Sequence, residues 1–181
     1  HKEKLIAFIE TISKPKNKHP DPWATPERNM VDLCKVIKKF YYNPHTYGSN
    51  SIKKVLPAIL KTGSFVQNKY SRPISEIQVT SKNIPSDHDH TWLTVKDGKI
   101  EDPYKTLKPV FDGLSQEEIE TRLSGIKNID DGGAALTAYG KIQYSNMEAW
   151  ERELIAEGLK RYCELDTLAM VMIYEHLKSL I

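Results

Sequence analysis

The stretch from Ser145 to Leu180 constrains this chain most. Ser145 with Glu148 forms a capping-box pattern, and the residues that follow read as a helical region running to Leu180, with Gly158 a break or kink. Inside it lies RYCELDTLAMVMIY, residues 161–174, whose second half is strongly apolar yet carries Asp166 at its entrance. Burying an unpaired carboxylate is costly, so Asp166 must be solvated, capping a helix, hydrogen-bonded or holding a metal. Tyr162 stands four residues earlier and therefore shares a helix face with it.

That pairing is chemically useful. A carboxylate can hold a divalent ion, while a phenol one turn away can hydrogen-bond and aim an activated water. The bland alternative keeps Asp166 as the cap of a last helical segment and Tyr162 as an ordinary half-buried aromatic.

Elsewhere the pattern is also mainly helical. Leu5, Ile6, Phe8, Ile9 and Ile12 mark a first helix, followed by a proline-rich loop from Lys14 to Pro26. A second helix is expected from Glu27 to about Phe40, where Asp32 either meets the positive helix start or faces a site. Ser49, Asn50 and Ser51 offer capping groups for a helix through Ile52, Val55, Leu56, Ile59 and Leu60, kinked at Pro57 and stopped at Gly63. Residues 64–90 are polar and proline-bearing and read as an irregular excursion. Thr91 to Glu101 alternates around Asp97-Gly98 and predicts a small β-hairpin. Ser115 with Glu118 opens a helix to about Ser124, Asp130 to Gly133 is a turn, and Ala134 to Tyr144 a short helix. The expected class is α+β, predominantly helical, over residues 1–181 as a single domain or part of one.

With 181 residues, 39% of them hydrophobic, the chain can bury a core. Its 26 basic and 24 acidic side chains leave a net charge of +2, so no global field recruits nucleic acid or an anionic membrane. Cys34 and Cys163 form no CxxC pattern and suit a reducing compartment, which points to a cytoplasmic protein. No apolar run approaches the roughly 20 residues needed to span a bilayer, so no membrane partner is expected. The sequence opens at His1 directly into a helical pattern, without an initiator methionine or a capping residue, and reads as a piece of a longer chain.

Other candidates are weaker. Asp87-His88-Asp89-His90 has ligand-type residues, but adjacent positions seldom converge on one centre and the second half of a zinc site is missing, so a solvated loop is expected. Lys53 and Lys54, near Tyr41, Tyr42 and Tyr47 in sequence, could contact a phosphate backbone, or could line the polar face of an amphipathic helix. Cys163 has no nucleophile partner, and no phosphate loop, GxSxG or HExxH occurs.

Five strings taken together, Met30-Val31-Asp32-Leu33, Gly48-Ser49-Asn50-Ser51-Ile52-Lys53-Lys54-Val55-Leu56-Pro57-Ala58, Asp102-Pro103-Tyr104, Asp131-Gly132-Gly133-Ala134-Ala135 and Tyr162 to Met170, resemble the bacterial family called domain of unknown function 2779, from about Asn29 onward. That family is in turn similar to ribonuclease H-like exonucleases of the DEDD type. The resemblance implies the C-terminal part of a ribonuclease H-like α/β fold. It implies a 3′–5′ exonuclease that hydrolyses nucleic-acid phosphodiesters with Mg²⁺ or Mn²⁺, with Tyr162 and Asp166 as its third motif and Asp166 as a metal ligand. The first motif, Asp-x-Glu, and the second are absent from these 181 residues. Two-metal chemistry needs about four carboxylates around ions roughly 4 Å apart, so this portion alone is expected to be inactive. The rival expectation is a non-catalytic nucleic-acid or protein binding module, and a third is a scaffold in which Asp166 only caps a helix.

Overall fold

The structure, a computed structural model, describes residues 1–12, 28, 30–83, 90–111, 126 and 128–181. Among the described residues it is mostly helical with one small antiparallel sheet, so the α+β expectation holds at that level. The chain divides into two compact units, His1–Tyr42 and Asn43–Ile181.

The first unit contains α1 (Lys2–Ile12) and α2 (Leu33–Phe40). α1 buries none of its residues, and Leu5, Ile6, Phe8 and Ile9 are exposed. Arg28 lies over the Phe8 ring and donates its amide to the Thr11 carbonyl. α2 starts later than the apolar stripe suggested, because Asp32 caps it. The Asp32 carboxylate accepts from the Lys35 amide at 3.1 Å, and that bond, more than Lys35's charge, holds its pKa below the usual carboxylate value. Of its two readings, the helix start is the one observed.

The second unit opens on a single 3₁₀ turn, Pro44–Thr46, closed by Tyr47 and Gly48 in left-handed backbone. Asn43 ties this turn to the next helix, donating to Thr62 Oγ1 at 3.0 Å. That helix, α3 (Ile52–Thr62), buries Val55, Leu56, Ala58, Ile59 and Leu60 and runs through Pro57 as one element. Ser51 is its N-cap by backbone only. Ser49 Oγ instead accepts the Ser51 amide, so the expected side-chain cap forms a turn ahead of the helix.

Residues 64–90 are not uniformly irregular. α4 (Ser64–Tyr70) and α5 (Ile74–Ile77) form within them. Val66 and Tyr70, one turn apart and fully buried, supply the burial that the polar composition concealed. The Gln67 amide donates to the Leu60 carbonyl at 2.6 Å across the α3–α4 junction. The hairpin is shorter than its alternating pattern: β1 (Val95–Lys96) pairs with β2 (Lys99–Ile100), Val95 opposite Ile100, around Asp97 and Gly98 at positive φ. Thr91 pairs separately with Pro73 in an isolated bridge, which takes it out of that hairpin. The capping box at Ser115 lies outside the described residues.

α6 (Gly132–Tyr144) is capped by Asp131, whose carboxylate accepts from the Ala134 amide at 2.8 Å. α7 (Ala149–Ser179) is a single helix of 31 residues. The expected capping box at Ser145 does not form, because the Ser145 amide closes α6 on the Lys141 carbonyl and α7 begins after Glu148. Gly158 does not break α7 either. A Cβ there would lie 2.8 Å from Val110 Cγ2, so glycine serves close packing at that point. α7 packs against α3, α4 and α6 and is the spine of this unit. No described helix is long and apolar enough to cross a membrane.

Candidate functional site

Asp166 lies well inside α7, more than three turns from either end, so it caps nothing. The helix presents Tyr162 and Asp166 on one face, with Tyr162 buried and Asp166 half-buried. The carboxyl finds its partner elsewhere in the chain: Tyr104 donates its hydroxyl to Asp166 Oδ1 at 2.6 Å. Of the four fates open to this carboxylate, a hydrogen bond from a distant side chain is the one observed.

Tyr104 is delivered by a tight turn. Asp102 Oδ1 accepts the Tyr104 amide at 3.1 Å and the Asp102 carbonyl accepts the Lys105 amide at 2.9 Å, an arrangement suited to Asp-Pro sequences. The two phenol rings face each other at 6.2 Å between centroids, tilted by 53°. Lys53, from the first turn of α3, closes the cluster. Its ammonium lies 4.2 Å from the Tyr104 ring centroid and 4.8 Å from that of Tyr162, and it donates to the Asp130 carbonyl just ahead of α6. Four chain segments thus meet around one carboxyl and one ammonium.

The electrostatics follow from burial and neighbours. Desolvation, reinforced by the Asp166 carboxyl, raises the Tyr104 phenol well above its ordinary range. The same causes push Tyr162 up to about 12. Both phenols therefore stay protonated at neutral pH and act as hydrogen-bond groups, not as bases. The Asp131 carboxylate is held below its usual value, chiefly by the Ala134 amide and more weakly by the Lys53 charge.

Of the residues singled out by sequence, Tyr162, Asp166 and Lys53 come together, whereas Lys54 is exposed on α3. Asp87, His88 and Asp89 lie outside the described residues, and His90 packs edge-on against Trp92 at 5.5 Å. Tyr104, Asp130 and Asp131 were not singled out as site residues, although all three lie in strings quoted above or beside them; nothing in local spacing links residue 104 to residue 166.

A pair of divalent ions does not fit the described residues alone. One oxygen of Asp166 is engaged by Tyr104, Lys53 brings a positive charge into the same cluster, and no group of three His, Cys, Asp or Glu comes together among the described residues.

The Tyr104–Asp166 bond carries a measurable share of stability. Tyr104→Phe removes one hydroxyl while keeping the ring under Lys53, and should lower the unfolding free energy by about 1–2 kcal/mol in urea denaturation. No change in the midpoint would mean that water replaces Tyr104 at no cost. Comparison with protein-family models, curated proteins and solved structures found no match to this chain.

Proposed function

We propose that this chain contributes part of a phosphodiester-hydrolysing site for nucleic acid, with Asp166 as one acidic ligand and Tyr162 as the phenol that orients the attacking water. The observation that carries the reading is the side-by-side placement of Tyr162 and Asp166 on α7, with the carboxyl partnered by a hydroxyl and not by its own helix backbone. The resemblance of Tyr162 to Met170 to a Tyr-x-x-x-Asp exonuclease motif supports it. Mg²⁺ or Mn²⁺, which would neutralise charge on the scissile phosphate, enters this reading only with carboxylates beyond those described.

The chain's own residues have defined tasks in this reading. Tyr104 fixes the rotamer of Asp166 through Oδ1. Tyr162, protonated up to about pH 12, offers a hydrogen bond and no general-base function. Lys53 adds positive charge beside the Tyr162 ring, and Lys54, which is exposed, would meet a strand's phosphates. The substrate class is single-stranded DNA or RNA, degraded from its 3′ end.

The decisive comparison is between the longer protein that contains this chain and its Asp166→Asn variant. Mn²⁺-dependent degradation of single-stranded oligonucleotides should fall by about 100-fold or more in the variant. Its melting temperature should stay close to the original, since an amide oxygen still accepts from Tyr104. Equal degradation by both proteins, or none by the unmodified one, would leave the binding-module reading in its place.

A further inference from the structure

A cavity of about 220 Å³ opens on the neighbouring face of α7, beside the Tyr162–Asp166 pair but lined by neither residue. Arg161 and Leu165, four residues apart, form its helical wall, while Trp92, Pro103, Leu107 and Lys108 come from the segments facing it. Two fixed cations, Arg161 and Lys108, line it, and none of its described lining residues is acidic. Among the described residues Arg161 has one ion-pair partner, Glu157, whose Oε2 lies 3.9 Å from Nη1, at the outer limit of an ion pair. Arg161 Nε is buried and has no hydrogen-bond acceptor among the described residues. A buried guanidinium donor without a partner is costly and calls for an acceptor that the described residues do not supply.

From this we infer that the cavity is a binding site for a small phosphomonoester whose sugar carries a flat ring, a nucleoside monophosphate. A phosphomonoester carries nearly two negative charges at neutral pH and offers three acceptor oxygens, which matches two cations and one orphaned Nε–H. A monocarboxylate would match only one of the charges. The aliphatic and indole surface of Leu165, Leu107, Pro103 and Trp92 suits the ring. The volume sits below the roughly 300–1,000 Å³ that encloses a drug-sized ligand, so a single mononucleotide is the most the cavity takes and a longer chain does not fit. Binding here needs neither a metal nor Asp166, and it goes beyond the hydrolytic reading.

Titration calorimetry on the full chain with EDTA present tests the site, using adenosine 5′-monophosphate, adenosine, inorganic phosphate and a 5′-phosphorylated oligoadenylate as separate probes. The monophosphate should bind with a Kd below about 1 mM, and adenosine and phosphate each at least about tenfold more weakly. The oligoadenylate should bind no more tightly than the monophosphate. Arg161→Gln should weaken the monophosphate by about tenfold or more, the loss of a charge-assisted contact. Lys108→Gln, at an exposed position that leaves packing intact, should weaken it by a similar factor even if Arg161→Gln perturbs folding. Absence of saturable binding, adenosine or phosphate binding as tightly as the monophosphate, a tighter oligoadenylate, or a Lys108→Gln variant with unchanged affinity would each overturn the inference. None of these results bears on phosphodiester hydrolysis, which is read separately with Mn²⁺.

Discussion

Leu56→Ala should lower the unfolding free energy by about 2–5 kcal/mol, the range for deleting a buried leucine side chain whose surroundings close only partly. Leu56 is completely buried, between Val55 and Ile59 on the face that α3 turns toward the rest of its unit. Few sites offer less room for collapse, because Ile59, Val66 and Met172 are also fully buried. Denaturant unfolding should show a lower midpoint with an unchanged slope, marking lost stability without a change in the surface exposed. A shift below about 0.5 kcal/mol would mean that α3 is not the centre of this core.

Gly158→Val should cost about 1–3 kcal/mol, and for the opposite physical reason. The site is already full. Even the first added carbon would stand 2.8 Å from Val110 Cγ2 and 3.3 Å from Ile129 Cδ1, and both of those residues are buried. On an exposed helix face a glycine replaced by a better helix former gains up to about 1 kcal/mol, so a net loss here isolates the packing conflict. Val110→Ala should recover part of the loss in a double-mutant cycle, since it removes the methyl that is struck. Additive losses would place the conflict elsewhere.

These two positions also show what could be read from the sequence. Leu56 was legible because its helix repeats apolar residues at i, i+3 and i+4, a pattern that local geometry imposes. Gly158 was not. A glycine inside a helical pattern signals either a break or a close approach, and only the partner, 48 residues earlier in the chain, decides between them. The same limit governs the site. Tyr162 and Asp166 were found together because one helix turn joins them, and Lys53 was marked with Lys54 as a candidate phosphate contact on an amphipathic helix. Tyr104 could be quoted but not assigned a role, since its hydroxyl meets Asp166 across 62 positions. α4 was missed because Val66 and Tyr70 owe their helix to burial and not to propensity. Helix starts were the least legible feature. Ser145 could equally close one helix or open the next, and its amide was already claimed by Lys141.

The long α7 spine has a consequence for biogenesis. Leu56 leaves the ribosome well before Met172, which belongs to the same interior, and at about 5–20 residues per second the interval is on the order of ten seconds. Throughout that time the apolar side of α3 waits without the part of its cover that α7 supplies. The second unit therefore completes its interior only after translation has passed through α7, and until then its nascent helices depend on whatever shields them in the cell.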